Sequence, residues 1–239
     1  MQIKFLRSLL ALTLVAAAAT RALAADVNTL TDAEKSAGWK LLFDGKSLAG
    51  WTSYKKATPP EKGWDIRDGW LHHIAKGGGG DLVSVEKYSE FELSWEWIIA
   101  DGGNSGLKYF ISDERKGGAV GHEYQMLDDD KHPDGKKGLN RQTGAFYDVL
   151  DPSNRPVKKP GEINSSRVLV KGMHVEHWLN GAKVLEYELG SDALKAAIAK
   201  SKFKTTEAFG TRFPGRLLLQ DHGDEVSVRN VKIRELGGK

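Results

Sequence analysis

The sequence predicts an all-β fold, a β-sandwich of many short strands with one short helix. Apolar and polar residues alternate over short segments, and period two is the repeat of a half-buried strand. Asp-Gly and Asn-Gly dipeptides separate two pairs of these segments, and such dipeptides favour tight hairpin turns. Glycine supplies 27 of the 239 residues, about 11% against ~7% in average proteins, so many turns are expected.

Strands dominate the first half of the chain after a polar segment at residues 25–37. A single helical turn is expected at Thr31–Glu34, with Thr31 as its N-cap. The segments on either side of Asp68-Gly69 form a predicted hairpin. Phe91–Trp97 alternates large apolar with polar residues, so its aromatic face should lie in the core. Further strands are predicted at Leu41–Phe43, Trp64–Arg67, Trp70–Ile74, Gly106–Ile111, Glu123–Leu127, Gly144–Val149 and Ser166–Val170.

The second half contains another predicted hairpin and the predicted helix. Asn180-Gly181 joins the two strands of the hairpin, Met173–Leu179 and Lys183–Leu189. The helix covers Asp192–Lys200, where Ser191 is a suitable N-cap and one face is apolar. The last strands are Arg216–Gln220 and Val226–Ile233. In the final strand the apolar phase slips near Arg229-Asn230, which predicts a β-bulge.

The first 24 residues have the features of an export signal. Lys4 and Arg7 precede an apolar stretch from Leu9 to Ala19, and Ala22-Leu23-Ala24 is a small-x-small cleavage site. We therefore predict that residues 1–24 are a signal peptide removed after Ala24. The apolar stretch is too short to cross a bilayer, which takes ~20 residues. The expected product is an exported protein of the bacterial periplasm without a membrane partner.

The basic charge of the chain belongs to that leader. The whole sequence has 35 Lys and Arg against 32 Asp and Glu, a formal charge of +3. The leader holds three of the basic residues and no acidic one, so the mature chain is neutral and nucleic acid is not an expected partner. The absence of cysteine excludes disulfides, zinc-thiolate sites and cysteine nucleophiles.

The segment around Glu123 is the most unusual polar cluster in the sequence. Glu123 and Gln125 share one face of a predicted strand, while the residues between them face the other way. Asp128 follows at the end of the strand, and His132 is a metal ligand type just beyond it. A solvated outer face with an acidic turn would show the same spacing, so this alternative stays open. Many sandwich glycosidases carry their paired carboxylates as Glu-x-Asp-x-x-Glu on one strand. No glutamate of this chain has an aspartate two residues later.

Two further clusters are candidate site residues. Gln220 and His222 come directly after a predicted core strand, and histidine can carry protons or bind a metal. Asn104–Lys108 is the other cluster, where Gly106 would permit close approach of a ligand. The residue types alone support only an exported β-sandwich with a polar, possible sugar-binding face.

An ordered set of motifs is more specific than any one of them. The motifs are Gly38–Gly45 with Gly50-Trp51, Asn104–Phe110, Glu123–Asp134, Thr143–Asp148, His174–Gly181, and Leu219–Gly223 with Arg229–Val231. In this order they resemble the 3-keto-disaccharide hydrolase family over residues 38–236. This resemblance implies a concanavalin A-like jelly-roll sandwich as the fold, preceded by residues 1–24 as signal peptide and 25–37 as an N-terminal segment. His122 departs from the family, which more often has an apolar residue there, and a change of packing is expected.

The resemblance also implies a reaction that needs no pair of carboxylates. A ketone at C3 of a sugar acidifies the C2 proton, so a base can remove it and the enolate can expel the C1 substituent by β-elimination. Addition of water to the product of elimination makes the net reaction a hydrolysis. One base, a group that holds the enolate oxygen and an acid for the leaving group are required. A divalent metal is a candidate cofactor, and no organic cofactor is expected.

The site residues expected from the resemblance match these roles, and a 3-keto sugar or glycoside is the expected partner. Glu123, His222 and Lys108 are the catalytic candidates, as base, proton carrier and enolate stabiliser. A non-catalytic carbohydrate-binding module or a structural protein of the cell envelope are the alternatives. Substrate-binding candidates are Asn104, Gln125, Tyr147 and Gln220, and metal-ligand candidates are Glu123, Asp128 and His132.

Overall fold

Two antiparallel β-sheets pack face to face around one aromatic-rich core. A computed structural model describes residues 26–115 and 118–237, so the predicted signal peptide lies outside the described residues. The strands, in chain order, are β1 Trp39–Leu41, β2 Trp51–Ser53, β3 Trp64–Arg67, β4 Trp70–His73, β5 Leu82–Tyr88, β6 Phe91–Ile99, β7 Asn104–Ile111, β8 His122–Leu127, β9 Asn164–Lys171, β10 His174–Leu179, β11 Ala182–Glu188, β12 Gly215–Leu219 and β13 Val226–Glu235.

The two sheets differ in size and in connection. The larger has eight strands in the order β11-β10-β9-β6-β13-β4-β3, with β1 also paired to β13. The smaller has five strands in the order β2-β5-β12-β7-β8, which makes β8 an edge strand. Seven of the eleven strand pairings in the described part of the chain join strands that are not consecutive, so most pairings depend on crossovers. The predicted all-β jelly-roll sandwich is confirmed.

Both predicted hairpins are present with the backbone that their sequences favour. Asp68 and Gly69 have φ of 50° and 76°, and they join β3 to β4. Asn180 and Gly181, with φ of 48° and 84°, join β10 to β11. Positive φ at both positions is the requirement of a type I′ turn, which matches the right-handed twist of the strands.

The core confirms the predicted alternation of β6. Phe91, Leu93, Trp95 and Trp97 are at most 1% exposed and lie between the sheets. The Trp97 indole N–H donates to Ser166 Oγ at 2.8 Å, so the buried polar atom of the ring has a partner. Burial of these aromatic side chains is the main stabilising contribution that a chain without cysteine can use.

Several elements differ from the sequence predictions. Gly144–Val149 is not a strand; it forms turns with isolated bridges at Phe146. Strands β2 and β5 were not predicted, and Val85–Lys87 of β5 are exposed in succession, which breaks the period-two pattern. Besides α2 (Asp192–Lys200) the described chain has a short helix α1 (Asp32–Ser36), whose Thr31–Glu34 capping box matches the predicted turn.

The predicted bulge in β13 is present and receives the N-terminal segment. The pairing of β13 with β6 shifts between Arg229 and Lys232, and Asn230 has φ of 51°. The Asn28 backbone N–H donates to Asn230 Oδ1 at 2.6 Å, and the Asn230 backbone N–H donates to Asn28 Oδ1 at 2.8 Å. Asn28 Nδ2 also donates to Gly69 O at 2.8 Å. None of the helices in the described ranges is long and apolar enough to cross a membrane.

We predict that Asn28→Ala lowers the free energy of unfolding by about 2 kcal/mol, because buried backbone groups lose their partners. Asn28 is 7% exposed. Its backbone has a positive φ of 55°, a conformation that alanine adopts less readily than asparagine. Denaturant unfolding checks this, with Thr29→Ala as the control because the Thr29 hydroxyl bonds only to nearby Asp26 O. Equal stability of the two variants would show that the segment does not hold the bulge.

Candidate active site

One cleft gathers the catalytic and substrate-binding residues predicted from the sequence. It lies on the face of the five-stranded sheet that points away from the core and has a volume of about 190 Å³. A cleft of this size suits one part of a ligand better than a drug-sized molecule, whose pockets span ~300–1,000 Å³. Its polar lining consists of Asn104, Lys108, Glu123, Gln125, Tyr147, Lys202, Gln220 and His222.

Glu123 is a nearly buried carboxylate in the floor of the cleft. It is 5% exposed, and its Oε2 lies 3.6 Å from Lys108 Nζ on the neighbouring strand. With the Gln220 amide oriented to satisfy both neighbours, Gln220 donates to Glu123 Oε1 and accepts from Lys108 Nζ, each at 3.2 Å. A solvated outer face is therefore the wrong interpretation of this strand, because the carboxylate is enclosed and held by a cation and an amide.

Gly106 makes room for Glu123 and not for a ligand, which corrects the expectation from the sequence. A Cβ at Gly106 would lie 2.5 Å from Glu123 Oε1 and 3.0 Å from its Cγ. Gly106 is paired with Gln125 across β7 and β8, so the Glu123 side chain lies diagonally over it. The absent side chain thus fixes the position of the carboxylate.

Gln125 presents an unpaired acceptor at the cleft. Its Nε2 contacts Asn104 Oδ1 and Arg141 O, each at 3.4 Å, whereas its buried Oε1 has no partner among the described residues. Asn104 Nδ2 in turn lies 3.2 Å from His222 Nε2. An orphaned buried oxygen is costly unless a ligand supplies a donor, and a sugar hydroxyl is one such donor.

Tyr147 forms one wall and is held by charged residues behind it. Its hydroxyl donates to Asp134 Oδ2 at 2.5 Å, while Arg141 bridges Asp134 Oδ1 at 2.9 Å and Asp148 Oδ1 at 2.6 Å. Although burial opposes ionisation, hydrogen bonds from Lys137, Tyr147 and Arg141 hold the pKa of Asp134 well below its ordinary value. Burial, with the Asp134 charge, raises the pKa of Tyr147, so Tyr147 stays a neutral donor.

The neighbouring wall contains Lys202 and Phe203, which the sequence analysis missed. They come after α2 in a loop without a recognisable motif, and only the fold brings them to β8. Lys202 Nζ lies 4.2 Å from the centre of the Tyr147 ring, a cation–π distance. Much of the Lys202 side chain is exposed, yet partial desolvation of the ammonium lowers its pKa, with the Glu123 charge acting in the opposite direction.

The candidate metal ligands do not come together as one group. His132, His222 and Asp224 have donor atoms within 4.8 Å of one another, and this group includes neither Glu123 nor Asp128. The Asp128 carboxylate accepts from the backbone N–H groups of Gly102, Asp130 and Lys131, so it organises a turn. Asp224 was missed, although it lies two residues after the predicted His222.

The chain is similar to a family of known proteins over nearly all of the fold described above. Residues 38–234 match the family described as 3-keto-alpha-glucoside-1,2-lyase-like domain, so the chain belongs to that family. The 3-keto-disaccharide hydrolase of Bacteroides thetaiotaomicron is 35% identical, with 89% of this chain and 83% of the relative covered.

Solved structures show the same fold. A crystal structure of a putative glycosyl hydrolase from Parabacteroides distasonis superposes with a TM-score of 0.80 at 36% identity, covering 88% of this chain and all of the other. A second putative glycosyl hydrolase from that organism gives 0.64 at 28% identity, covering 83% of this chain and 99% of the other. The chain is therefore a carbohydrate-active enzyme that acts on glycosidic bonds.

We predict that Gly106→Ala lowers kcat/KM at least about tenfold, because displacement by about 1 Å at a reacting group has large effects on rate. The added methyl group must push the Glu123 carboxylate from its place beside Lys108. The measurement is glycosidic-bond cleavage with thermal unfolding in parallel. Gly237→Ala is the control, since its Cβ would meet nothing closer than 3.8 Å. Wild-type kinetics in Gly106→Ala would contradict this role of the glycine.

Proposed function

We propose that this enzyme cleaves 3-keto-glycosides or 3-keto-disaccharides by removing the C2 proton and expelling the C1 substituent. The observation that carries the proposal is the composition of the cleft. Among the described residues that line it, Glu123 is the single carboxylate, and two lysines line the same cleft. Ordinary glycosidases need two carboxyl groups across the scissile bond, whereas elimination next to a ketone needs one base and cationic support for the enolate.

Glu123 is suited to act as the base. Its Oε2 faces Lys108, and its Oε1 faces the Gln220 amide, so the carboxylate is fixed in one orientation. In the proposed step, the carboxylate takes the C2 proton, and the electrons of that C–H bond form the enolate with negative charge on the C3 oxygen. The ammonium groups of Lys108 and Lys202 are the groups that can balance this charge.

Collapse of the enolate breaks the bond between C1 and its oxygen substituent and forms a C1–C2 double bond. The departing oxygen takes a proton, for which His222 is the candidate donor because its ring lies at the mouth of the cleft beside Asn104. Addition of water across the new double bond returns the proton to C2 and gives the 3-keto sugar. Atoms then balance as a hydrolysis.

In its alternative role as a metal ligand, His222 forms with His132 and Asp224 the proposed place for a divalent metal. Two imidazoles and a carboxylate are a ligand set for Zn²⁺ and related cations. Burial and the neighbouring His222 lower the pKa of His132, so its ring is neutral as a ligand must be. His132 Nδ1 accepts the Asp134 N–H at 3.1 Å, so a neutral ring carries its proton on Nε2. Binding a cation through Nε2 would require that proton to move to Nδ1 and this hydrogen bond to open. When bound, the cation would polarise the ketone oxygen.

We predict that Glu123→Gln removes at least about 99% of turnover on a 3-keto-glucoside, because an amide cannot accept the C2 proton. The amide keeps the size of the side chain, so substrate binding should persist. Product release followed by mass spectrometry is the measurement. Glu176→Gln, a partly buried carboxylate of β10 in the other sheet, is the matched control and should retain full activity.

Two results would decide against the proposal. Full turnover by Glu123→Gln would remove Glu123 as the base. Binding of ordinary glycans without turnover of any 3-keto-glycoside would favour the alternative of a non-catalytic binding module. Loss of the C2 hydrogen to solvent deuterium in the product would support proton abstraction, whereas its retention points to direct hydrolysis.

We predict that a chelator abolishes turnover and that added divalent cation restores it. Metal content per chain should fall in His132→Ala and His222→Ala. It should stay unchanged in His72→Gln, whose ring contacts Ser227 Oγ at 3.0 Å in the larger sheet and lies outside the candidate ligand groups. Metal analysis of the purified variants measures this directly. A stripped enzyme with undiminished turnover would assign His222 to proton transfer, since one ring cannot serve both roles.

Export is part of the same proposal. The predicted cleavage after Ala24 precedes the docked segment that starts near Asn28, so the mature chain would keep all of the contacts that hold the β13 bulge. N-terminal sequencing of protein from the periplasmic fraction of a bacterial host tests this, with Ala25 as the expected first residue.

A further inference from the structure

A line of buried polar groups crosses the core beneath the cleft. His122 on β8, Tyr187 on β11, Tyr109 on β7 and His177 on β10 are all at most 7% exposed. Their contacts are His122 Nδ1 to Tyr187 Oη at 3.1 Å, Tyr187 Oη to Tyr109 Oη at 2.7 Å and Tyr109 Oη to His177 Nε2 at 2.9 Å. These four side chains form what we call the core chain.

The two ends of the core chain fix the direction of every hydrogen bond in it. At one end, Gly210 N–H donates to His122 Nε2 at 3.1 Å, so the proton of the neutral His122 ring must be on Nδ1. At the other end, His177 Nδ1 lies 2.9 Å from Gly144 O. A carbonyl can only accept, so His177 Nδ1 carries the proton and its Nε2 accepts.

One consistent order then satisfies all the groups. Gly210 donates to His122, His122 to Tyr187, Tyr187 to Tyr109, Tyr109 to His177, and His177 to Gly144. Burial lowers the pKa of His122 to about 3 and that of His177 to about 4, so both rings stay neutral and keep this order. Burial likewise raises the pKa of both tyrosines.

The ends of the core chain belong to the two walls of the cleft. Gly210 lies in the loop after α2 that carries Lys202 and Phe203, and Phe203 stacks on Phe209 with ring centres 4.3 Å apart. Gly144 begins the turn that carries Tyr147, whose N–H donates to Glu123 O at 3.0 Å. Both loops lack strands of their own. Lys202 N–H also donates directly to Asp148 Oδ2 at 2.7 Å, so the core chain is a second connection between the two walls.

We propose that His122, Tyr187, Tyr109 and His177 are positioning residues that couple the Lys202–Phe203 wall to the Tyr147 wall through the core. A break anywhere in the core chain leaves a buried donor or acceptor unpaired on each side of the break. Opening the hydrogen bond at one end of the core chain then costs less free energy. The Gly210 bond lies in a loop, so it opens more easily than a bond between strand residues. The width of the cleft therefore depends on the core chain as well as on the residues that touch the substrate.

Tyr109→Phe is the variant that tests the coupling, because phenylalanine keeps the ring and removes only the central hydroxyl. The Tyr109 hydroxyl bonds to Tyr187 and His177 and not to Gly210 or His122, and phenylalanine keeps the ring that packs on His122. We expect hydrogen exchange of the Gly210 amide to accelerate about tenfold, after correction for global stability, since an unpaired buried group shifts a local opening equilibrium by that order. The same change is expected for Tyr187→Phe.

Tyr124→Phe is the matched control. Its hydroxyl is equally buried and hydrogen-bonded, to Trp178 O at 3.1 Å and from Ser166 Oγ at 2.9 Å, but it is outside the core chain. This variant should leave Gly210 exchange at the wild-type rate. Equal Gly210 exchange in Tyr109→Phe, Tyr187→Phe and Tyr124→Phe would overturn the proposal.

The kinetic arm rests on the proposed function, whereas the exchange arm does not. With a 3-keto-glucoside, Tyr109→Phe and Tyr187→Phe should raise KM several-fold and change kcat little, because the walls move while Glu123 stays on its strand. Accelerated Gly210 exchange without any turnover in the wild type would refute the substrate and keep the coupling. Normal exchange with normal KM would refute the coupling and keep the substrate.

Discussion

The rest of the site depends on how the free edge of β8 is closed. This strand is the last of the five-stranded sheet, and an exposed edge invites pairing with other chains. The edge is covered by a turn and not by a strand: Gly144 N–H donates to Gln125 O at 3.0 Å and Tyr147 N–H to Glu123 O at 3.0 Å. The segment that protects the edge therefore also delivers Tyr147 to the cleft. The same turn therefore covers the sheet edge and positions a residue of the site.

This arrangement explains which parts of the molecule the sequence could predict. The period-two pattern of β8 places Glu123 and Gln125 on one face and Tyr124 on the other, and the structure has this division. The predicted strand Gly144–Val149 was wrong, because this segment bonds to the edge of β8 only at single positions and forms turns, with isolated bridges at Phe146. Local patterns cannot tell such a segment from a strand, since the difference depends on the path of the chain after the turn.

Residues brought by long crossovers were beyond sequence reasoning. Lys202 comes after a predicted helix and has no neighbours in sequence that suggest chemistry, yet its ammonium lies over the Tyr147 ring in the cleft. Its position depends on how α2 and its loop pack against the edge of the small sheet. Gly106 is the reverse case. The sequence indicated that the glycine leaves space, and we expected a ligand there, but the Glu123 side chain of the neighbouring strand fills that space. Cross-strand register decides such questions, and register is a property of the folded sheet.

His122 shows how a polar residue can occupy a buried position among aromatic rings. The prediction that it changes packing more than chemistry is consistent with its burial among Phe146, Tyr187 and Phe209, with ring centres 4.5 to 6.2 Å away. An apolar side chain there would pack equally well but would leave the Gly210 N–H without an acceptor. Because β8 alternates, His122 and Tyr124 face the core while Glu123 faces the substrate side. One strand thereby holds the carboxylate proposed as base and, through the core, the loop that stands opposite it.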